Sequence, residues 1–340
     1  MITTGIPGKG RPNSGIGIVG TGSYLPSHVV TNSEVGEPAG VTGEWIHAKT
    51  GILNRRRAKD DEATSDLAVI AARAALENAG LTPSDLSLIV VATSTPDSPQ
   101  PPTACLVADE LGCDAGTAAF DVNAVCSGFV FALTTAERIL RDSGSQYALV
   151  IGADVYSRIL NPADRKTAIL FGDGAGAVVL GPAAGPDRGL LAGRLASFGA
   201  DRHLIEVPAG GSRLPATAET VSEGLHWFRM NGRGVRDFVN AEVPPAVRTF
   251  LADAGVTPDQ IARFVPHQAN GRMLEELAEP IGIPFERFST SFQEYGNTGS
   301  ASVAVTLDLA ARSGQLNPGD LVLLAGFGGG MAMGLALLRW

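Results

Sequence analysis

Cys126 is the side chain best placed to attack a carbonyl carbon, because it stands where a strand hands over to a helix. Upstream, Ala118, Ala119, Phe120 and Val122 read as a short buried strand, and downstream Phe129, Leu133, Ala136 and Leu140 recur at helical spacing. A helix start offers unpaired N–H groups and the positive end of a dipole, so the position biases the thiol toward thiolate, the attacking form. Gly128, just beyond, lets a substrate or another backbone come close. A cysteine among Ala, Val and Phe is by default a small buried hydrophobe, so its surroundings must supply the case for chemistry.

Two further residues supply it together. His267 ends a strand-like run, Val265-Pro266-His267-Gln268-Ala269-Asn270, and Asn297 lies in Gly296-Asn297-Thr298-Gly299-Ser300-Ala301, a turn feeding a helix. Each alone is an ordinary structural histidine or a turn residue. A repeat joins them: Ala79-Gly80-Leu81-Thr82-Pro83 is echoed by Ala254-Gly255-Val256-Thr257-Pro258, an offset of 175 residues, and each copy is followed by a polar linker and a strand. At the same offset the strand 148–152 lands near 321–326, and the Cys126 turn lands on the Asn297 turn. Two matching halves of alternating strands and helices predict an α/β fold of stacked layers with a central site between them. If a pseudo-twofold relates the halves, Cys126, His267 and Asn297 share one pocket. The expected division is a flexible tail over residues 1–14, a first half over 15–181 with Cys126, and a second half over 182–340 with His267 and Asn297.

A cysteine nucleophile needs a leaving group it can displace, and a thioester suits it because thiol exchange is nearly isoenergetic. A histidine and an asparagine amide beside it can donate hydrogen bonds to a thioester carbonyl as it gains enolate character, and so stabilise the carbanion left when a malonyl group loses carbon dioxide. The turn Gly326-Phe327-Gly328-Gly329-Gly330 can expose an N–H which, with that of Cys126, makes an oxyanion hole.

Bulk properties bound the alternatives. With 340 residues, 44% hydrophobic, the chain can bury a large core, and a formal charge of −9 argues against nucleic acid or an anionic membrane as general partners. Three cysteines without paired spacing suit a reducing compartment and give no zinc site; Cys105 and Cys113 read as structural. No export signal is seen, and the cytoplasm is the expected location. The apolar run 321–338 is as long as a membrane helix, but five glycines within it favour two strands and a turn. Gly15-Ile16-Gly17-Ile18-Val19-Gly20 matches a dinucleotide fingerprint in form only, since no helix follows. Residues 65–79 predict a helix capped by Thr64 or Ser65 and ended by Gly80. Arg55, Arg56 and Arg57 suit either a solvated face or phosphate contact, and Asp173 reads as part of a tight turn.

The chain resembles the β-ketoacyl-acyl carrier protein synthase III family of thiolase-fold condensing enzymes from about Gly17 to Trp340. The matching motifs are Gly20-Thr21-Gly22-Ser23-Tyr24-Leu25-Pro26, Glu44-Trp45-Ile46 with Thr50-Gly51-Ile52, Phe120-Asp121-Val122 with Cys126-Ser127-Gly128-Phe129, Phe171-Gly172-Asp173-Gly174-Ala175-Gly176-Ala177, Val265 to Asn270, Gly296-Asn297-Thr298, and Gly326 to Gly330. The resemblance implies a thiolase-like fold, with duplicated βαβαβ halves in α-β-α-β-α layers, and a homodimer. It implies that Cys126 takes an acyl group from acyl-coenzyme A (acyl-CoA), and that His267 and Asn297 assist decarboxylation of malonyl-acyl carrier protein, whose carbanion attacks the acyl-cysteine. Cys126 and Gly329 would supply the oxyanion hole. Trp45, Lys49, Arg165, Gly232, Asn270 and Arg272 fall at CoA-binding positions, and no metal or redox cofactor is called for.

The sequence departs from the family at several of these positions. Lys49 replaces an arginine that stacks on adenine, and lysine keeps the charge without the flat surface. At the acyl pocket, Gln100 aligns with a residue given by the partner subunit, often phenylalanine; Met331 and Met333 replace a more aromatic pattern beyond Phe327, and Arg236 stands near the pocket mouth. These changes predict a longer, branched or otherwise unusual starter. Glu275, Glu276 and Glu279 sit on the helix expected to face an acidic carrier protein, which moves docking to Arg233, Arg236 and Arg272 or points to another acceptor. The leading reading is a priming ketosynthase for fatty acids or a polyketide starter. The alternatives are an acyl-CoA-dependent acyltransferase of natural-product biosynthesis and a non-catalytic ketosynthase partner, which the pair His267 and Asn297 and the presence of Cys126, respectively, disfavour.

Overall fold

The computed structural model describes residues 2–4, 15–143, 145–185 and 187–340. Two five-stranded sheets carry it. In the first, the spatial order is Ile16–Tyr24, Gly174–Pro182, Tyr147–Asp154, Leu86–Ala92, Ala118–Val122. In the second it is Ile2–Thr4, Gly189–Ser197, Ala332–Arg339, Leu321–Gly328, Arg263–Pro266. The repeat is visible strand for strand. Leu86–Ala92 runs parallel to Tyr147–Asp154 as Arg263–Pro266 runs parallel to Leu321–Gly328. Each central strand then pairs antiparallel with its next neighbour, Gly174–Pro182 or Ala332–Arg339. The edge strand Ala118–Val122 has a counterpart reduced to a parallel bridge between Phe264 and Phe288.

Alternation along the strands decides which layer each residue joins. Val90 and Val150 of the first sheet and Val265, Val322 and Leu324 of the second pack on the helices Gly128–Ser143 and Ser302–Arg312, which form the middle layer. Ile89, Val91, Leu149 and Ile151 pack the other way, on the helix Thr64–Ala79. Leu323, Leu335 and Leu337 do the same against the helices Gly232–Asp253 and Gly271–Ile281. The result is the layered α-β-α-β-α arrangement expected, and the apolar run 321–338 is an antiparallel strand pair. Among the described residues no helix is long and apolar enough to cross a membrane.

Local details differ from the expectations. Most of the expected tail lies outside the described residues, but Ile2–Thr4 is a strand paired with residues 193–195, so these three residues belong to the second sheet. Neither Thr64 nor Ser65 caps its helix. Asp66 accepts the N–H of Ala63 at 2.7 Å, while Thr64 donates to the Thr95 carbonyl and Ser65 to Asp97. Gly80, at φ 66°, ends the helix as expected. The rejected fingerprint is a strand, and a Cβ at Gly20 or Gly22 would strike the Ala75 backbone of the helix above it. Arg55 fits neither reading offered for the triplet: it is buried and donates to Asn32 Oδ1 at 2.8 Å and to the Ile169 carbonyl at 2.7 Å. Asp173 is more than a turn residue. Its buried carboxylate accepts the N–H groups of Ala58 and Ser157 and the Ser157 hydroxyl, clamping three segments together.

Candidate active site

Cys126 occupies a one-turn 3-10 element, Val125–Ser127, between its strand and its helix. Val125 is held at φ 48°, the left-handed region that a β-branched residue avoids. The turn is held down by the other half of the molecule. A Cβ added to Gly326 would lie 2.8 Å from Ser127 Cα, and one added to Gly328 would lie 2.7 Å from Cys126 Cβ, so only glycines let the Leu321–Gly328 strand support the turn. The related turn at residues 299–301 seats on Gly152 of the first sheet in the same way. Each half therefore braces the functional turn of the other.

Three groups stand beside the Cys126 sulfur and favour its anion: its own backbone N–H, the backbone N–H of Gly329 and the Tyr156 hydroxyl. Two neighbouring backbone N–H groups are the kind of donor pair an oxyanion hole uses. The expected thiolate bias does not hold in the free protein. Burial, helped by the nearby Asp154 carboxylate, pushes the thiol up to about 12. The sulfur is buried, and lost hydration outweighs what the neighbouring donors return to the anion.

His267 leaves the end of the Arg263–Pro266 strand with its N–H bonded to the Ala325 carbonyl at 2.7 Å. Its ring stands edge-on to Phe327 at 5.5 Å, which places it beside the Gly328 support of Cys126. Nδ1 lies 2.7 Å from the Ser302 hydroxyl, and Gln268 N–H reaches the same oxygen at 3.4 Å. A neutral ring that accepts the Ser302 proton at Nδ1 carries its hydrogen on Nε2, where it is a donor. Burial pulls the His267 pKa down to about 3, so the ring is neutral at ordinary pH.

Asn297 is fixed by its N–H to the Leu170 carbonyl at 2.8 Å, and its Oδ1 accepts the N–H of Gly299 at 2.9 Å. With the oxygen occupied, the amide presents its NH2 group, a donor. Gly299 lies against Asp154 and Tyr156, and Tyr156 against Cys126, so contacts run from Asn297 to the sulfur. His267, through Phe327 and Gly328, and Asn297, through Gly299 and Tyr156, are thus each linked to the Cys126 turn from the other half.

The expected CoA positions are less concentrated. Gly232 lines a cavity of about 640 Å³ with Arg233, expected for carrier docking, and with Lys166, His203 and Arg229, which sequence reasoning missed; Lys166 adjoins the expected Arg165. Arg272 donates to the Ala48 carbonyl at 3.3 Å, beside Lys49 on the helix that bears the half-exposed Trp45. Asn270 caps the Gly271–Ile281 helix through Met273 N–H. Phe327, Met331 and Met333 are buried in one cluster with Tyr156, Phe171 and Phe228, whereas Gln100 is exposed on the loop before the Thr103–Leu111 helix. Cys105 and Cys113 form no disulfide.

Tyr156, Ser94, Asp154 and Ser302 also went unnoticed in the sequence. Asp154 carried the clearest signal, a lone carboxylate closing a wholly apolar strand.

The models of two parts of one family match this chain: 3-oxoacyl-[acyl-carrier-protein (ACP)] synthase III over residues 120–199 and its C-terminal part over residues 251–340. The acetoacetyl CoA synthase NphT7 of Streptomyces sp. (strain CL190) is 56% identical over 325 residues, covering 95% of this chain and 98% of that protein. A β-ketoacyl-[acyl-carrier-protein] synthase III of Rhizorhabdus wittichii is 45% identical over 95% of this chain and 98% of its own length. Among solved structures, the priming β-ketosynthase of the R1128 polyketide biosynthetic pathway superposes with a TM-score of 0.87 at 36% identity, covering 98% of each chain.

Proposed function

The chain belongs to the 3-oxoacyl-[acyl-carrier-protein] synthase III family, and on that premise we propose that it is a priming ketosynthase whose nucleophile is Cys126. The observation that carries this reading is the junction of one buried cysteine under two N–H donors with two neutral donor side chains from the opposite half, His267 and Asn297. Cys126 attacks the thioester of an acyl-CoA, the N–H groups of Cys126 and Gly329 hold the oxyanion, and CoA leaves. A malonyl thioester then enters. His267 Nε2–H and the Asn297 amide donate to its thioester oxygen while carbon dioxide departs, and the carbanion attacks the acyl-cysteine to release a β-ketoacyl product. The reading requires no metal or redox cofactor.

The aromatic packing beside the sulfur favours a short starter, against the larger pocket expected from Met331 and Met333. Tyr156 stacks on Phe171 at 4.4 Å, and Phe228 meets both edge-on at 5.5 and 5.1 Å. The acceptor of the family is malonyl-acyl carrier protein. A second reading, in which malonyl-CoA is the acceptor, gains support from Arg236 and Arg272, which are paired with Glu276 and Glu275 and so present little free positive charge for an acidic carrier. The similarity to an acetoacetyl CoA synthase points the same way. We place the enzyme in the cytoplasm as a homodimer, joined along the edge strand Ala118–Val122, with Gln100 reaching the partner's acyl pocket.

Intact mass after mixing with a panel of acyl-CoA thioesters tests the assignment. One adduct, absent in Cys126→Ala, followed by carbon dioxide release on addition of malonyl-CoA or malonyl-carrier, is the expected result. No adduct from any thioester would overturn it.

A further inference from the structure

Cys126 is joined to a buried carboxylate by a line of hydroxyl groups. The Tyr156 hydroxyl stands beside the sulfur and lies 3.0 Å from Ser94 Oγ, which donates to Asp154 Oδ1 at 3.1 Å. Asp154 is fully buried, and among the described residues no cation is bonded to it. Its Oδ1 also accepts from Thr93, Ser94 N–H and Thr95, and its Oδ2 accepts from Ser300 N–H at 2.7 Å. An anion so held is tolerable, but a second anion beside it in the same buried space is not. Cys126 and Asp154 can therefore share one negative charge but cannot hold two. Ser94 donates to the carboxylate, and a line in which the thiol donates to Tyr156 and Tyr156 to Ser94 gives every hydroxyl one donor and one acceptor.

We propose that, in the priming reaction assigned above, the thiol proton of Cys126 passes along Tyr156 and Ser94 to Asp154 as the sulfur takes the acyl group, and returns by the same path during condensation. On loading, the S–H bond breaks, each hydroxyl hands its proton to the next oxygen, and an O–H bond forms on Asp154. The sulfur bonds the acyl carbon, the carbon–sulfur bond to CoA breaks with its electron pair, and the departing CoA thiolate takes a proton from water. Asp154 is then neutral while the malonyl carboxylate enters, so no fixed anion opposes it. When the carbanion attacks the acyl-cysteine, Cys126 leaves with the bonding pair and recovers the proton from Asp154. Tyr156, which touches the sulfur, is a catalytic residue in this scheme; Ser94 and Asp154 act through it. The titratable groups around the line are Cys126, Tyr156 and Asp154 themselves, His267 from the opposite half, held neutral by burial, and Asp173, bonded to the adjacent Ser157.

The relay is tested with Tyr156→Phe, which keeps the stacked ring and removes the hydroxyl, and with Ser94→Ala, which breaks the line one step away. Two rates are followed from about pH 6 to about pH 10: single-turnover loading from acetyl-CoA and alkylation of Cys126 by iodoacetamide, where general acid–base assistance of this kind is worth about 100-fold. Both variants should be slowed most near neutral pH and recover toward wild type as hydroxide replaces the relay. Rates equal to wild type, or slowed by one factor at every pH, would overturn the proposal. Alkylation does not depend on the enzyme's substrate. A wild-type protein that alkylates yet loads from no thioester would contradict the priming function, while the alkylation profiles would still decide the relay.

Discussion

The Ser302 hydroxyl sits 2.7 Å from His267 Nδ1, at the start of the helix that the Asn297 turn feeds. One structural unit thus presents the amide and the hydroxyl that faces the imidazole, and with Ser302 donating to Nδ1 the ring hydrogen stays on Nε2. Ser302→Ala removes the group that keeps hydrogen on Nε2. Decarboxylation of the malonyl donor should fall about tenfold, the value of one hydrogen bond of about 1.4 kcal/mol, while loading of Cys126 is unchanged. Carbon dioxide release measured beside adduct formation checks the split; equal losses in both steps would show that Ser302 merely supports the fold.

Gly328→Ala tests the support of the nucleophile. The added Cβ would come within 2.7 Å of Cys126 Cβ and 3.1 Å of its sulfur, both in a fully packed region. Overpacking of this kind costs about 1–3 kcal/mol. The variant should melt lower than wild type and form no acyl adduct, as read by a thermal melt and intact mass on the same sample.

These two sites mark how far the sequence was legible. Cys126, His267 and Asn297 stood out in the sequence because the repeat set their turns opposite one another, and the strands and helices followed from apolar spacing. The sign of the thiol's preference could not, because the helix start is visible in the pattern but its burial under Gly326 and Gly328 is a tertiary fact. Arg55 was unreadable for the same reason: its partners, Asn32 and the Ile169 carbonyl, lie 23 and 114 residues away. Tyr156 lies in an apolar strand exit, where tyrosine reads as core.

Stability should depend on pH in two windows set by buried groups. Burial lowers His267 from 6.5 to about 3, so as pH falls below 6.5 the unfolded chain takes up a proton that the folded one refuses, and stability is lost down to about pH 3. Burial raises Cys126 from 9.0 to about 12, so the unfolded chain gives up its proton first, and stability is lost as pH rises through that range. Each slope is at most about 1.4 kcal/mol per pH unit. Asp154 and Asp173, raised by burial, act in the opposite sense at acid pH, so the contrast between proteins is the readout. His267→Asn should flatten the acid limb of a melting-temperature profile and Cys126→Ala the alkaline limb; parallel profiles would contradict the assignment.

The choice between carrier protein and CoA as acceptor turns on the arginines near the mouth. Arg236 is held by both oxygens of Glu276 at 2.9 and 2.6 Å, and Arg272 by Glu275 at 3.0 Å. An acidic carrier helix would have to displace these carboxylates, and like charge at its docking face slows encounter and weakens binding. Glu275→Gln with Glu276→Gln frees both guanidinium groups at sites where exposed pairs contribute little to stability, about 1 kcal/mol or less each. The double variant should fold as wild type and raise kcat/KM for malonyl-carrier protein severalfold, with a steeper salt dependence, while a malonyl donor on CoA changes less. A wild-type enzyme that already prefers the carrier, with no gain in the variant, would show that docking uses another face and would remove this support for the CoA acceptor.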